Sequence, residues 1–170
     1  SNGKHRRFLI MAYTPLFSEI LQKVGKLKTK KQKIDFLRQN NTPALRMVVK
    51  SSFDPNIVWI FPEGDVPYKQ NDAPEGTEHT ILAHEARKLY NFVEGGNGAL
   101  TKNKREMMFV QMLEGLHKDE ADIIVAAKDK SLHKVYKGLS AAVVKEAFNW
   151  DDNFMIKDDA SQQYAQRANV

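Results

Sequence analysis

Helix-start signals recur along this chain at short intervals, and they confine it to a set of short helices. Thr29-Lys30-Lys31-Gln32 has the capping-box form, a threonine with glutamine three residues later. Thr14-Pro15 and Thr42-Pro43 each pair an N-cap with proline at the first helical position. Thr101, Asp119 and Ser140 supply further starts. Apolar residues follow at helical spacing: Leu16, Ile20, Leu21 and Val24, then Ile34 and Leu37, then Leu45, Val48 and Val49. Gly25 and Asn40-Asn41 stop the first two helices, and the third runs to about Phe53.

Later helices are expected over Ile81–Val93, ended by Gly95-Gly96, and from Thr101 to about Leu116, with Met107, Met108 and Met112 as core. A short one follows Asp119 through Ile123, Ile124 and Ala127. Ser131–Tyr136 reads as a turn or short helix stopped by Gly138, and Ser140 caps a last helix to Phe148. The expected fold is all-α, a single compact domain of about seven short helices. A chain of 170 residues fits one domain, and 42% hydrophobic residues give it a core without staples.

The middle has another character. Asp54 to His79 holds four of the six prolines and no helical period. Ile57–Phe61 is strand-like but has no evident partner. Residues 54–78 therefore read as an ordered, Pro-rich, acidic loop with Trp59 and Phe61 buried. At the ends, Ser1-Asn2-Gly3 resembles the remnant of a cleaved tag, and Met11-Ala12 a natural start. Residues 1–10 are set aside as a leader, 11–150 form the domain, and 151–170 read as a flexible tail.

Cysteine is absent, which excludes disulfides, zinc–thiolate sites and cysteine nucleophiles and suits a reducing cytoplasm. No apolar run approaches the roughly 18 residues of a membrane helix. Charge is uneven. Residues 1–50 carry 12 Lys/Arg against 2 Asp/Glu, and residues 51–78 carry 1 against 6. Such asymmetry suggests a cationic surface for a polyanion, with an acidic segment elsewhere.

No catalytic constellation is evident. His79 and His84 lie five apart, off the i, i+4 spacing of a helical metal pair. Glu63-Gly64-Asp65 and Glu75-Gly76 are explained by turn chemistry. Gly95-Gly96-Asn97-Gly98 lacks the Lys-Ser/Thr ending of a phosphate loop. No metal, cofactor or enzymatic activity is expected. Basic turns beside helix starts stand out instead. Lys28, Lys30, Lys31 and Lys33 surround Thr29 and Gln32. Lys102, Lys104 and Arg105 follow Thr101. Lys128, Lys130, Lys134, Lys137 and Gly138 lead to Ser140. Free N–H groups at helix starts suit phosphate, and lysines there add grip.

These residues carry a resemblance. "LFSEILQKVGKLKTKKQKIDFLRQNNTPALRMVVKSSFDPNIVWI" resembles the opening of the ATP-dependent DNA ligases of T-even phages. "ADIIVAAKDKSLHKVYKGLSAAVVKEAFNW" resembles the close of their N-terminal DNA-binding domain. "SFDPNIVW", "PEGDVPY", "DAPEGTEHT" and "KREMMF" carry a closer resemblance to a family of small uncharacterised proteins of T4-like cyanobacterial phages. The ligase resemblance covers about Leu16 to Trp150 and implies an all-helical domain that holds duplex DNA by its backbone. Thr29, Lys30, Gln32 and Lys33 match its first basic turn, and Asp129, Lys130, Gly138 and Ser140 fall around its last. The adenylated lysine motif is missing: Lys128-Asp129-Lys130 and Lys157-Asp158-Asp159 are its nearest strings. The expectation is therefore a non-enzymatic phage protein binding intact or nicked duplex DNA in the cytoplasm of an infected bacterium, in replication or repair. The alternative is an adaptor that engages a phage or host protein through the acidic Pro-rich loop, with Tyr68 and Trp59, and the acidic tail.

Overall fold

The computed structural model describes residues 15–74 and 79–157. The leader, Thr14, Glu75-Gly76 and the tail beyond 157 lie outside them. Among the described residues the fold is all-α. In chain order the helices are α1 (Phe17–Lys26), α2 (Lys30–Gln39), α3 (Pro43–Phe53), α4 (Leu82–Glu85), α5 (Lys102–Gly115), α6 (Lys118–Lys128), α7 (Leu132–Val135) and α8 (Ala141–Ala147). A 3-10 segment, Ala86–Phe92, continues α4. No helix among these residues is long and apolar enough to cross a membrane.

Four starts form as their sequences dictate. Gln32 N donates to Thr29 Oγ1 while Thr29 N donates to Gln32 Oε1, closing the capping box. Thr42, Thr101 and Ser140 accept from Leu45, Lys104 and Val143 N. Each cap contributes about 1 kcal/mol. Two expected starts differ. The helix placed after Asp119 begins at Lys118 and is capped by His117, whose Nδ1 accepts from Asp119 N at 3.1 Å. The first helix begins at Phe17, not at Pro15, and its N-cap residue, Leu16, has no side-chain acceptor.

The acceptor for that start is Glu120, on α6. Phe17 N donates to Glu120 Oε2 at 2.8 Å, and Leu82 N, at the start of α4, donates to Oε1 at 2.8 Å. One carboxylate, 1% exposed, thus closes two helix starts that lack caps of their own. It also fixes α1 and α4 to the middle of the fold. Negative charge at two positive helix ends favours the arrangement.

α6 is the central element: α1, α3 and α5 pack on it, and Ile123, Ile124 and Ala127 are fully buried. Leu21 and Val24 of α1, Leu45 and Val48 of α3 and Leu113 of α5 fill the space around them. Each such large side chain contributes about 1.5–3 kcal/mol on burial. α2 packs on α8 at the periphery. Met112 joins the core, whereas Met107 is exposed, contrary to its expected role.

The helix expected over 81–93 is α-helical only to Glu85. Asn91 Nδ2 donates to the Lys88 carbonyl, a local bond that competes with helix continuation, and the chain tightens to 3-10. Gly96 then returns under the turn. A Cβ there would lie 1.8 Å from the Tyr90 carbonyl oxygen, so only glycine fits.

The middle loop does have a partner. Trp59 and Val93 form an isolated antiparallel bridge, with Ile60 N to Phe92 O at 2.9 Å and Glu94 N to Val58 O at 2.8 Å. Trp59 is buried and its indole donates to Ser51 O at 2.9 Å. Phe61 is half-buried and stacks on Phe109, centroids 4.5 Å apart. Beyond α8 the described part of the expected flexible tail, residues 151–157, folds back. Trp150 pairs with Ile156, Asp151 Oδ1 accepts from Asn153 N and Met155 N, and Phe154 is buried against Trp150.

Candidate nucleic-acid interface

Two of the three basic turns lie side by side. Gly138, in the α7–α8 turn, lies against the last turn of α1 and the Lys33 side chain of α2, beside the α1–α2 turn: a Cβ on it would be 3.0 Å from Gly25 Cα, Val24 O and Lys33 Cε. A side chain at 138 would crowd the end of α1. α8 then lies along α2, with Lys30 Nζ 3.3 Å from Glu146 and Arg38 Nη2 donating to Glu146 O at 2.9 Å. Lys28, Lys30 and Lys31 are exposed on one turn, and Lys134 and Lys137 on the other. Lys30 and Lys31 pair with Glu146 and Asp35, each lysine more than half exposed. Such pairs hold about 0–1 kcal/mol and exchange readily for a phosphate.

Other cations named by the sequence are committed inside the fold. Lys33 Nζ donates to Leu27 O. Arg105 staples the 91–100 loop, donating to the Asn91, Asn97 and Leu100 carbonyls at 3.0–3.2 Å. The Thr101 turn is built on that loop, and there only Lys102 and Lys104 are exposed. Lys128 is not on the surface: its ammonium has no exposure and donates to Pro62 O, Gly64 O and Asp129 Oδ1. It pins the acidic loop to the end of α6, where Gly64 N also meets the Asp129 carboxylate. Thr29, Gln32 and Ser140 spend their side chains on caps.

Lys130 has a structural task as well. Ser131 N bonds to Ala126 O and Lys130 N to Ala127 O, the hydrogen bonds of a Schellman stop. This puts Lys130 at φ 56, a left-handed position that usually takes glycine. Its ammonium, donating to Ser51 O at 2.9 Å and Asp54 O at 2.8 Å, holds the strained residue in place. Burial lowers its pKa, and Asp54 opposes the shift.

Between the end of α3 and the α7–α8 turn lies an open cleft of about 650 Å³, with Phe53, Pro55, Lys130, His133 and Lys137 on its walls. Among the described residues no carboxylate lines it. No motif marks Phe53 and His133, which are far apart in the chain and here are ring neighbours at 6.2 Å. No group of three potential metal ligands occurs among the described residues.

Beneath Lys137, Tyr136 is buried, and its phenol is pushed well above its ordinary pKa of 10.0, by burial first and then by Asp119, Asp122 and Glu120. A raised folded pKa means that the folded state binds the proton more tightly. The stability it contributes is complete below pH 10 and is lost as pH rises beyond it. Lys130 acts in the opposite sense over its own window below 10.5. The urea midpoint is expected to fall as pH rises above about 10.5, and Tyr136→Phe should flatten that fall. An unchanged pH profile in the variant would remove Tyr136 as the cause.

Comparison with known proteins adds a family. Residues 20–134 match a family of unknown function (DUF6433). The chain belongs to that family. No curated protein and no solved structure matches it. The DUF6433 region takes in the first basic turn, the Thr101 turn, the pinned acidic loop and Lys130. It ends at Lys134, before Lys137, Gly138 and the helix that α2 packs on.

Proposed function

We propose that this DUF6433 protein binds duplex DNA through backbone phosphates, without catalysis and with little sequence preference. The observation that carries this reading is the packing of the Gly138 turn on the end of α1 and on Lys33, which brings exposed Lys134 and Lys137 to the side of the Thr29 turn with its exposed Lys28, Lys30 and Lys31. Phosphate contacts position a protein on a duplex without reading bases. The resemblance of residues 16–60 and 121–150 to the DNA-binding domain of T-even phage ligases supports the same reading. It suggests a role in phage replication or repair, in the cytoplasm of an infected bacterium. Lys33, Arg105 and Lys130 drop out of the contact set, because their cationic groups already serve backbone carbonyls.

Fluorescence anisotropy with intact and nicked duplexes tests this. Micromolar binding at low salt is expected, weakening about a hundredfold between roughly 50 and 200 mM salt if four phosphates are engaged. Tighter binding to the nicked duplex would extend the ligase resemblance to the substrate. Absence of binding at low salt would sink the proposal. It would leave the adaptor reading, whose support is the ordered display of Glu63 and Asp65 on the loop that Lys128 pins. Trp59, being buried, takes no part in that reading.

A further inference from the structure

The cleft beside the neighbouring turns has a composition of its own. Its volume of about 650 Å³ lies within the roughly 300–1,000 Å³ of small-ligand sites. Phe53, Pro55 and Leu139 make its wall largely apolar, while Lys130, His133 and Lys137 line it without any opposing carboxylate among the described residues. Phe53 is half-buried, and His133 braces its ring at a tilt of 53°. An apolar wall with a fixed aromatic ring and a cationic flank suits a nucleobase and its phosphate, since every base has a π face that stacks on an aromatic side chain. A base inside a duplex has both faces covered by its neighbours, so it cannot enter.

We propose that this cleft takes an unpaired nucleotide flanking the duplex, its base against Phe53 and its phosphate toward Lys137. Lys137 is exposed, whereas the Lys130 ammonium is held by Ser51 and Asp54. The inference rests on the duplex reading and deepens it. The exposed lysines hold the paired backbone, and the cleft selects a single-stranded extension.

The test titrates the full chain with two duplexes of equal paired length, one blunt and one with a single-stranded overhang carrying 2-aminopurine. The overhang duplex should bind about tenfold more tightly, and stacking should quench the 2-aminopurine emission. Phe53→Leu keeps an apolar side chain but removes the ring. It should abolish both the preference and the quench while leaving blunt-duplex affinity unchanged, and Phe53→Tyr should retain both. The melting temperature of each variant separates loss of the ring from loss of the fold. Equal affinity for the two duplexes, or a preference that survives Phe53→Leu, overturns the cleft proposal and leaves the duplex reading standing. Binding to neither overturns both.

Discussion

Glu120→Ala should destabilise the fold by about 3–5 kcal/mol, as two buried helix starts lose their acceptor together. Phe17 N and Leu82 N each donate to this carboxylate at 2.8 Å, and neither N-cap residue offers a side-chain acceptor. With Glu120 only 1% exposed, water does not readily replace the lost oxygens. Each buried donor left without a partner costs roughly 1–3 kcal/mol. Glu120→Gln keeps one oxygen and so one capped start, and it should lose about half as much. Urea denaturation followed by far-ultraviolet circular dichroism measures both variants. A loss below about 1 kcal/mol in the alanine variant would show that the two starts find other acceptors.

The largest functional effect is expected from reversing Lys30, Lys31, Lys134 and Lys137 to glutamate together. Each phosphate contact removed should lower the slope of log affinity against log salt by about one, so four should lower it by about four. At low salt the affinity should fall by more than about a hundredfold. The fold should tolerate the change, since all four side chains are exposed. The new glutamate at 30 faces Glu146, a repulsion of tenths of a kcal/mol between exposed groups. Reversal of Lys102 and Lys104 is the control, because their turn stands on the 91–100 loop, and it should change the slope less. Equal effects of the two sets would place the contact surface elsewhere. An unchanged affinity in the quadruple variant would remove the neighbouring turns from DNA binding altogether.

What could be read from the sequence was local in range. Thr29, Thr42, Thr101 and Ser140 cap residues three positions ahead, so a four-residue window contains the whole interaction. Glu120 caps Phe17 across 103 residues, and no window contains that pair. The partner of Trp59 was missed for the same reason: Val93 lies at the end of a 3-10 segment that reads as helix by periodicity. Lysine density draws attention to the basic turns but does not tell the duty of each ammonium. Lys128 and Lys130 are near neighbours in sequence. The first is sealed under the acidic loop and the second holds a left-handed stop, because a helix end turns successive side chains to different sides. The contact of Gly138 with Gly25 is set by the packing of α2 on α8, and only the assembled fold shows it.

The pairing of α2 with α8 also bears on the order in which the chain can mature during synthesis. Helix α2 leaves the ribosome more than a hundred residues before the helix that covers it, and Arg38 finds its acceptor on Glu146 only at a separation of 108. The start of α1 waits for Glu120 in the same way. Early helices whose apolar faces have no cover are prone to aggregate or to recruit chaperones. Contacts of such long range also slow the final closure. Native structure around α1 and α2 therefore waits for α6 and α8, and the two basic turns take their places side by side only after α8 has been made.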